Sequence, residues 1–296
     1  MSIESPIVDQ EADSQPAYRA VPASAFSFEE LADIYNQTRI DYIVPMPMNA
    51  KRMEQYVKSY DINLNASLVA KDSDEEIAGI GMLGLRGERA WVTRLGVLPY
   101  KRRHHLGHFL METLLEQARH HAACQVQLEV IKGNTPALRL FLTFGFQETR
   151  ELLIIRRPPG KPAMENPLPE TTVTVLTPDA IIECLEQREP GASWIDETPS
   201  LIHAGSLRGL RIALPSGETG WIVYQNTVFQ MAYFVIRSSE PARNDITQAL
   251  LYQVHLLNPM QDTKIENLAA LDSRWPVFQE MGYVEAFRRI EMTLDL

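Results

Sequence analysis

A chain of 296 residues is longer than one core usually organises, so two domains are expected. A hydrophobic fraction of 45% and a charged fraction of 22% supply ample material for packed cores, and no apolar run is long enough to cross a bilayer. The net charge of −10 and the pI near 5.3 exclude the basic footprint that a nucleic-acid partner needs; an acidic surface instead favours a cationic partner or substrate.

The first 17 residues, MSIESPIVDQEADSQPA, are polar and acidic, with neither a basic start nor an apolar stretch. They read as a disordered tail rather than a signal peptide, and the cytoplasm is the expected compartment. Cys124 and Cys184 lie too far apart to build a disulfide framework or a metal cluster, and both are expected to be reduced, buried small hydrophobes.

From Ser27 to Arg39 the apolar positions Phe28, Leu31, Ala32 and Tyr35 fall on one helical face, and Ala50–Tyr60 reads as a second short helix. Strands follow at Ser67–Lys71, Ile77–Leu85 and Ala90–Leu98, the last ended by Pro99. Leu106–His121 is a strongly amphipathic helix, Gln125–Ile131 a strand, Thr135–Thr143 a short helix and Gln147–Arg156 a closing strand. The segment Arg156–Glu170 carries prolines at 158, 159, 162, 167 and 169, which sustain neither a helix nor a central strand, so it reads as a linker. The expected division is a tail over 1–17, a first domain over 18–157, a linker over 158–170 and a second domain over 171–296.

The second half repeats features of the first. Gly145-Phe146 and Gly282-Tyr283 are 282 − 145 = 137 positions apart, and at that offset Phe141 meets Phe278, Glu148 meets Glu285, Glu129 meets Glu266 and Leu114 meets Leu251. The strand at Trp91–Val97 falls on Val228–Phe234, and the helix at Leu106–His121 on Arg243–Asn258. Identities are few, but the shared order of strand, helix, strand, helix, Gly-aromatic and strand marks a tandem duplication.

The segment with chemical content is Val97–His108, VLPYKRRHHLGH, between a strand and a helix. A helix N-terminus offers unpaired N–H groups and the positive end of the dipole, both suited to a pyrophosphate. Arg102, Arg103, His104 and His105 add positive charge there, and Gly107 permits close backbone approach. A basic loop that merely opens a helix is the plainer alternative.

At this point the sequence resembles the GNAT superfamily of acetyl-CoA-dependent N-acetyltransferases. The family's acyl-CoA signature, a strand near V-x-P followed by [RQ]-x-x-G-x-[GA], corresponds here to Val97-Leu98-Pro99 and then Arg102-Arg103-His104-His105-Leu106-Gly107. Its downstream pattern is met by Leu128-Glu129-Val130, Asn134, Ala137, Phe141 and Gly145-Phe146. The resemblance implies an α/β (α+β type) architecture of two tandem GNAT folds, each a mixed twisted sheet flanked by helices. It implies acetyl-CoA as co-substrate. The backbone of Leu95 and Val97 would pair with the pantetheine arm, the amides from Arg103 through His104, His105, Leu106 and Gly107 to His108 would hold the pyrophosphate beside Arg102, and Asn134 and Phe141 would lie near the acyl end.

Two departures stand out. His105 occupies the place of the signature's first glycine, where a positive φ would be strained, and Phe141 stands where many relatives have a tyrosine that protonates the departing thiolate. The reaction implied is acetyl transfer to a primary amine of a small molecule or peptide, with Glu129, Tyr100 and Glu88 as candidate bases for deprotonating it. A non-catalytic acyl-CoA-binding or regulatory protein is the rival reading. No metal is expected. In the second half the matching loop, Ser238–Ile246, has no glycine and carries Glu240 and Asp245, and the position matching Asn134 is Leu271. This copy is read as degenerate, either covering the acceptor cleft or forming a homodimer surface. Tyr42, Met46, Met48 and Tyr56 are candidates for lining that cleft or for the core.

Overall fold

The computed structural model describes residues 18–240 and 243–296, so the tail expected over residues 1–17 lies outside the described residues, as do positions 241 and 242 of the second loop. The first half runs β1 (Arg19–Pro22), α1 (Phe28–Thr38), α2 (Ala50–Ser59), β2 (Leu68–Lys71), β3 (Ile77–Arg86), β4 (Arg89–Val97), α3 (Leu106–His120), β5 (Gln125–Ile131), α4 (Thr135–Thr143) and β6 (Gln147–Arg157). The second half repeats that order in β7 (Thr172–Val175), α5 (Pro178–Glu186), α6 (Thr198–Ala204), β8 (Leu207–Ala213), β9 (Thr219–Asn226), β10 (Gln230–Ser238), α7 (Asn244–Leu257), β11 (Asp262–Ala269), α8 (Trp275–Glu280) and β12 (Val284–Asp295).

Local sequence explains the boundaries. Ser27 caps α1 through a reciprocal capping box with Glu30. Asn49, Asn134 and Thr177 accept the first free amides of α2, α4 and α5. Gly145 and Gly282, at φ 88° and 87°, turn each copy's short fourth helix into its closing strand, a conformation that L side chains resist.

All twelve strands form one sheet in the order β1-β2-β3-β4-β5-β12-β6-β11-β10-β9-β8-β7. The two copies exchange their closing strands. β12 lies beside β5, Glu291 opposite Glu129, and β6 lies beside β11. β12 and β6 also pair with each other along most of their length. The linker expected over 158–170 therefore separates the two segments of sequence but not the two folds, because each fold needs a strand from the other half. Arg157 fastens that linker by donating to the carbonyls of Pro158, Gly160 and Lys161 while its Nε donates to Met281 O at 2.7 Å.

The copies share a second device. β4 and β5 are parallel and pair only over Arg89–Trp91, and β10 and β11 only over Gln230–Met231. Beyond these points the strands splay. Each outer strand carries a bulge with a non-glycine residue at positive φ, Arg94 at 52° and Tyr233 at 54°.

Helix α3 seals one face of the first cleft's sheet with Leu106, Leu110, Met111, Leu114 and Ala118, and α7 does the same for the second copy. The opposite face carries α1, α2 and, from the second half, Trp194. Trp194 is fully buried, stacks on Trp91 with ring centroids 5.9 Å apart, and donates its indole N–H to Tyr60 O at 2.9 Å. Arg86 lies over Trp194 and reaches Asp61 at 2.6 Å and Glu197 at 3.0 Å, tying α6 to the first half. Cys184 is buried as expected, but Cys124 is exposed, because it leads into β5 just after the turn at the end of α3.

Candidate functional site

A cavity of about 590 Å³ opens where β4 and β5 part. Its walls come from the first half, with Tyr42, Met46, Met48, Tyr56 and Tyr60 on the α1–α2 side and Leu95, Asn134, Ala137 and Phe141 toward α4. The second half closes it with Ile195, Gln225, Gln230, Tyr233, Glu266 and Arg289. Tyr233, aimed by its bulge, hydrogen-bonds Tyr60 across the boundary between the halves.

Glu129 lies two residues past the last paired position of β5, so its side chain is the first on its face to meet the open cleft. Leu128 and Val130 point the other way, into the α3 core. Trp91 Nε1 donates to Glu129 Oε2 at 2.7 Å, and Oε1 is buried with no partner. Burial is the largest influence on this carboxyl. With Glu291 and Glu266 nearby it outweighs Arg289 and the Trp91 hydrogen bond, and the pKa is pushed up to about 7. A carboxylate poised there can exchange a proton near neutrality.

The loop between β4 and α3 is a backbone concavity. Arg103 and His105 adopt positive φ, 68° and 59°, and His105 is the N-cap of α3 in the left-handed region. The sequence allowed His105 an unstrained negative φ; the structure instead keeps the conformation that a glycine would supply, at a cost of roughly 1 kcal/mol for a side chain. The reason is geometric: alternating backbone hands turn successive N–H groups inward. The amides from Arg103 to His108 donate to no protein acceptor among the described residues, while Tyr18 Oη steadies the loop by donating to His104 O at 3.0 Å.

The remaining residues singled out by sequence scatter more widely. Leu95, Asn134 and Phe141 line the cavity, whereas Val97 does not, and its carbonyl accepts from Arg102 Nε at 3.3 Å. Arg102 turns away from the loop to a bidentate pair with Asp41, at 2.6 and 2.7 Å, and to Thr38 O. Tyr100 is 69% exposed on the 3-10 turn Pro99–Lys101 and Glu88 is exposed in the β3–β4 turn; neither lines the cavity, so Glu129 alone of the three candidate bases faces it. Asn134 accepts from Ala137 N and donates to Tyr42 Oη at 3.1 Å, joining α4 to the α1–α2 connection.

The second copy's fork holds its own cavity of about 900 Å³, lined by Phe234–Ser239 of β10 and the following loop, by Ile265–Ala269 of β11 and by Arg274. Here the equivalent helix start is filled from within. Asp245 Oδ1 accepts from Ile246 N at 3.0 Å, and Arg243 pairs with Asp245 and Glu218. The N-cap of α8, equivalent to Asn134, is Arg274 rather than Leu271, which is almost fully exposed; sequence offset alone missed it because the loop before α8 is longer. Arg274 donates to Ile236 O on β10 at 2.9 Å, closing the fork from inside.

A sequence profile of the acetyltransferase (GNAT) family matches residues 29–146, a span covering the loop, the fork and Glu129. This segment carries the sequence pattern of the GNAT family. The whole chain takes the tandem GNAT fold. A GCN5-related N-acetyltransferase from Sphaerobacter thermophilus is 19% identical with a TM-score of 0.69, over 95% of this chain and 96% of that one. A tandem GNAT protein from the clavulanic acid biosynthesis pathway is 14% identical with a TM-score of 0.63, over 95% and 98%. A putative acetyltransferase from Pyrococcus horikoshii is 13% identical with a TM-score of 0.62, over 96% and 90%. At these identities the likeness concerns the fold. No curated protein sequence matches the chain. No helix among the described residues is long and apolar enough to cross a membrane.

Proposed function

We propose that this GNAT protein moves an acetyl group from acetyl-CoA to a primary amine of a small molecule or peptide, using the first fork only. The observation that carries the reading is the juxtaposition, along one splayed strand pair, of six free amides at a helix start and a carboxyl with a pKa near 7. The amides from Arg103 to His108 suit the pyrophosphate, with Arg103 as supporting charge. Leu95, Asn134 and Phe141, which line the cavity, would meet the pantetheine and acyl end. Acetyl-CoA supplies the thioester.

Glu129 is the proposed base. An alkylammonium with pKa about 10.4 must lose a proton before it can attack, and Oε1 has no protein partner to compete for that proton. Trp91 holds Oε2, fixing the carboxylate's orientation. Phe141 cannot protonate the departing thiolate; a thiol with pKa near 8.5 is a fair leaving group, and water completes the step.

The test is calorimetric titration of acetyl-CoA followed by amine-dependent release of free CoA. One equivalent should bind per chain, and Gly107→Asp should weaken it by at least about tenfold, because a carboxylate would then face the pyrophosphate as Asp245 does in the second copy. Absence of binding to the unaltered protein would overturn the reading. Binding without release of CoA with any amine would favour a non-catalytic acyl-CoA-binding role, which Phe141 makes the second reading.

A further inference from the structure

The chain as a whole is acidic, but the first cavity is not. Its lining includes Arg39, Arg52, Arg94, Arg156, Lys264 and Arg289 against only two carboxylates, Glu129 and Glu266. Glu266 is already engaged by Lys264 at 2.6 Å and Arg289 at 2.7 Å, and Arg156 pairs with Asp262 outside the cavity. Arg39 and Arg94 have no carboxylate partner among the described residues, and each has a buried guanidinium nitrogen without any hydrogen bond, Nη1 in Arg39 and Nε in Arg94. Both sit on aromatic faces, flanking the Tyr35 ring at 5.0 and 4.9 Å, with Arg39 also over Tyr42 and Arg94 over Tyr56.

Arg94 Nη1 donates to Tyr35 Oη at 2.9 Å, but stacking on ring faces satisfies no other guanidinium donor, and an unpaired buried donor is costly. A planar fork held in that way matches a carboxylate, which it takes in a charge-assisted pair. The position is specific. Arg94 lies over Tyr56, Tyr56 packs on Trp91, and Trp91 holds Glu129, so the cation and the proposed base flank the same two rings.

We infer that Arg39 and Arg94 bind the carboxylate of the acceptor, so that the amine acetylated in this cleft belongs to a molecule that also carries a carboxylate, as a free α-amino acid does. This rests on the acetyl-transfer reading above and narrows the cationic substrate that net charge favours to one that carries a carboxylate as well.

The experiment compares a panel of free α-amino acids with the matching α-amino amides, acetyl-CoA being the donor and CoA release the readout. The acids should be used at least about tenfold better by kcat/KM, and Arg94→Met should bring the acid-to-amide ratio to within about threefold of unity. Equal use of acids and amides, with turnover intact, would overturn the anion site and leave acetyl transfer standing. So would a preference for succinyl-CoA over acetyl-CoA that Arg94→Met removes, since the arginines would then serve the donor. If no amine were turned over, acetyl transfer would fall, and calorimetry of the same acids and amides would decide the anion site by itself. Acid-selective binding lost in Arg94→Met would support it, and equal binding would overturn it.

Discussion

Glu129 and Glu266 stand at the same depth in the two copies, each four residues into its strand, and the fold treats them in opposite ways. Glu129 keeps one oxygen on Trp91 and one without a partner, and burial pushes its pKa up to about 7. Burial acts on Glu266 in the same direction, but Arg289 and Lys264 overcome it and hold that carboxyl well below the usual range. One glutamate is left able to trade a proton; the other is a fixed counter-ion. The helix starts diverge likewise. The loop before α3 leaves six amides without an acceptor among the described residues, whereas Asp245 accepts from Ile246 N at the start of α7. The second fork thus differs from the first by a few charges at its helix start while its backbone, bulge included, persists.

The largest effect should come from testing whether the copies are separable at all. Removing residues 284–296 deletes β12, which pairs with β5 on one side and β6 on the other. Two new edges would open in the middle of the sheet, so near-ultraviolet circular dichroism should report loss of tertiary structure in both halves. A truncated chain retaining a cooperative first-half transition would mean that the exchange of strands is dispensable.

The two glutamates offer a sharper contrast. Glu129→Gln should lower kcat by about 10²-fold or more, and the rise of kcat/KM in the unaltered enzyme with an apparent pKa near 7 should vanish, because only the ionised carboxylate accepts a proton. Glu266→Gln leaves Arg289 and Lys264 uncompensated and should destabilise the fold by about 1 to 3 kcal/mol in chemical denaturation at neutral pH. A kcat loss larger in Glu266→Gln than in Glu129→Gln would reverse the assignment of roles.

A smaller signal lies in the pH dependence of stability. A carboxyl whose pKa is raised on folding binds more protons folded than unfolded, so its contribution is present below about pH 4.5 and is lost as the pH rises toward about 7. Glu129→Gln should remove that decline and leave the protein about 1 to 3 kcal/mol more stable than the unaltered chain at pH 7 to 8. Glu266 acts with the opposite sign, its contribution being present above about pH 4.5 and lost on acidification. Identical stability curves for the two variants would show that the local charges do not separate the copies.

Much of the fold was legible in the chain because its signals are local. The helices at Phe28–Thr38 and Leu106–His120 announce themselves by apolar spacing, and the strand Gln125–Ile131 and the helix Thr135–Thr143 keep the ends that their flanking residues give them. The strand, basic turn and helix start between β4 and α3 were legible for the same reason, since they occupy a dozen consecutive positions. Sequence alternation also established that Glu129 faces away from Leu128 and Val130. Which of those faces is the cleft was decided only when α3 packed on one and Trp91 reached the other.

What no stretch of sequence carries is the pairing between distant segments. The exchange of β6 and β12 depends on edges brought together across more than a hundred residues, and so does the wall that Tyr233, Glu266 and Arg289 build for the first cavity. Arg102 looked like a phosphate ligand until Asp41 came within its reach, and Tyr100 looked like a base until the turn at Pro99 left it in solvent. The sequence therefore determined the elements, the duplication and the place of the basic loop before α3, all short-range properties of backbone and periodicity. Only the tertiary structure decided which charges meet, because partner, burial and solvent access belong to the packed sheet and not to any one segment.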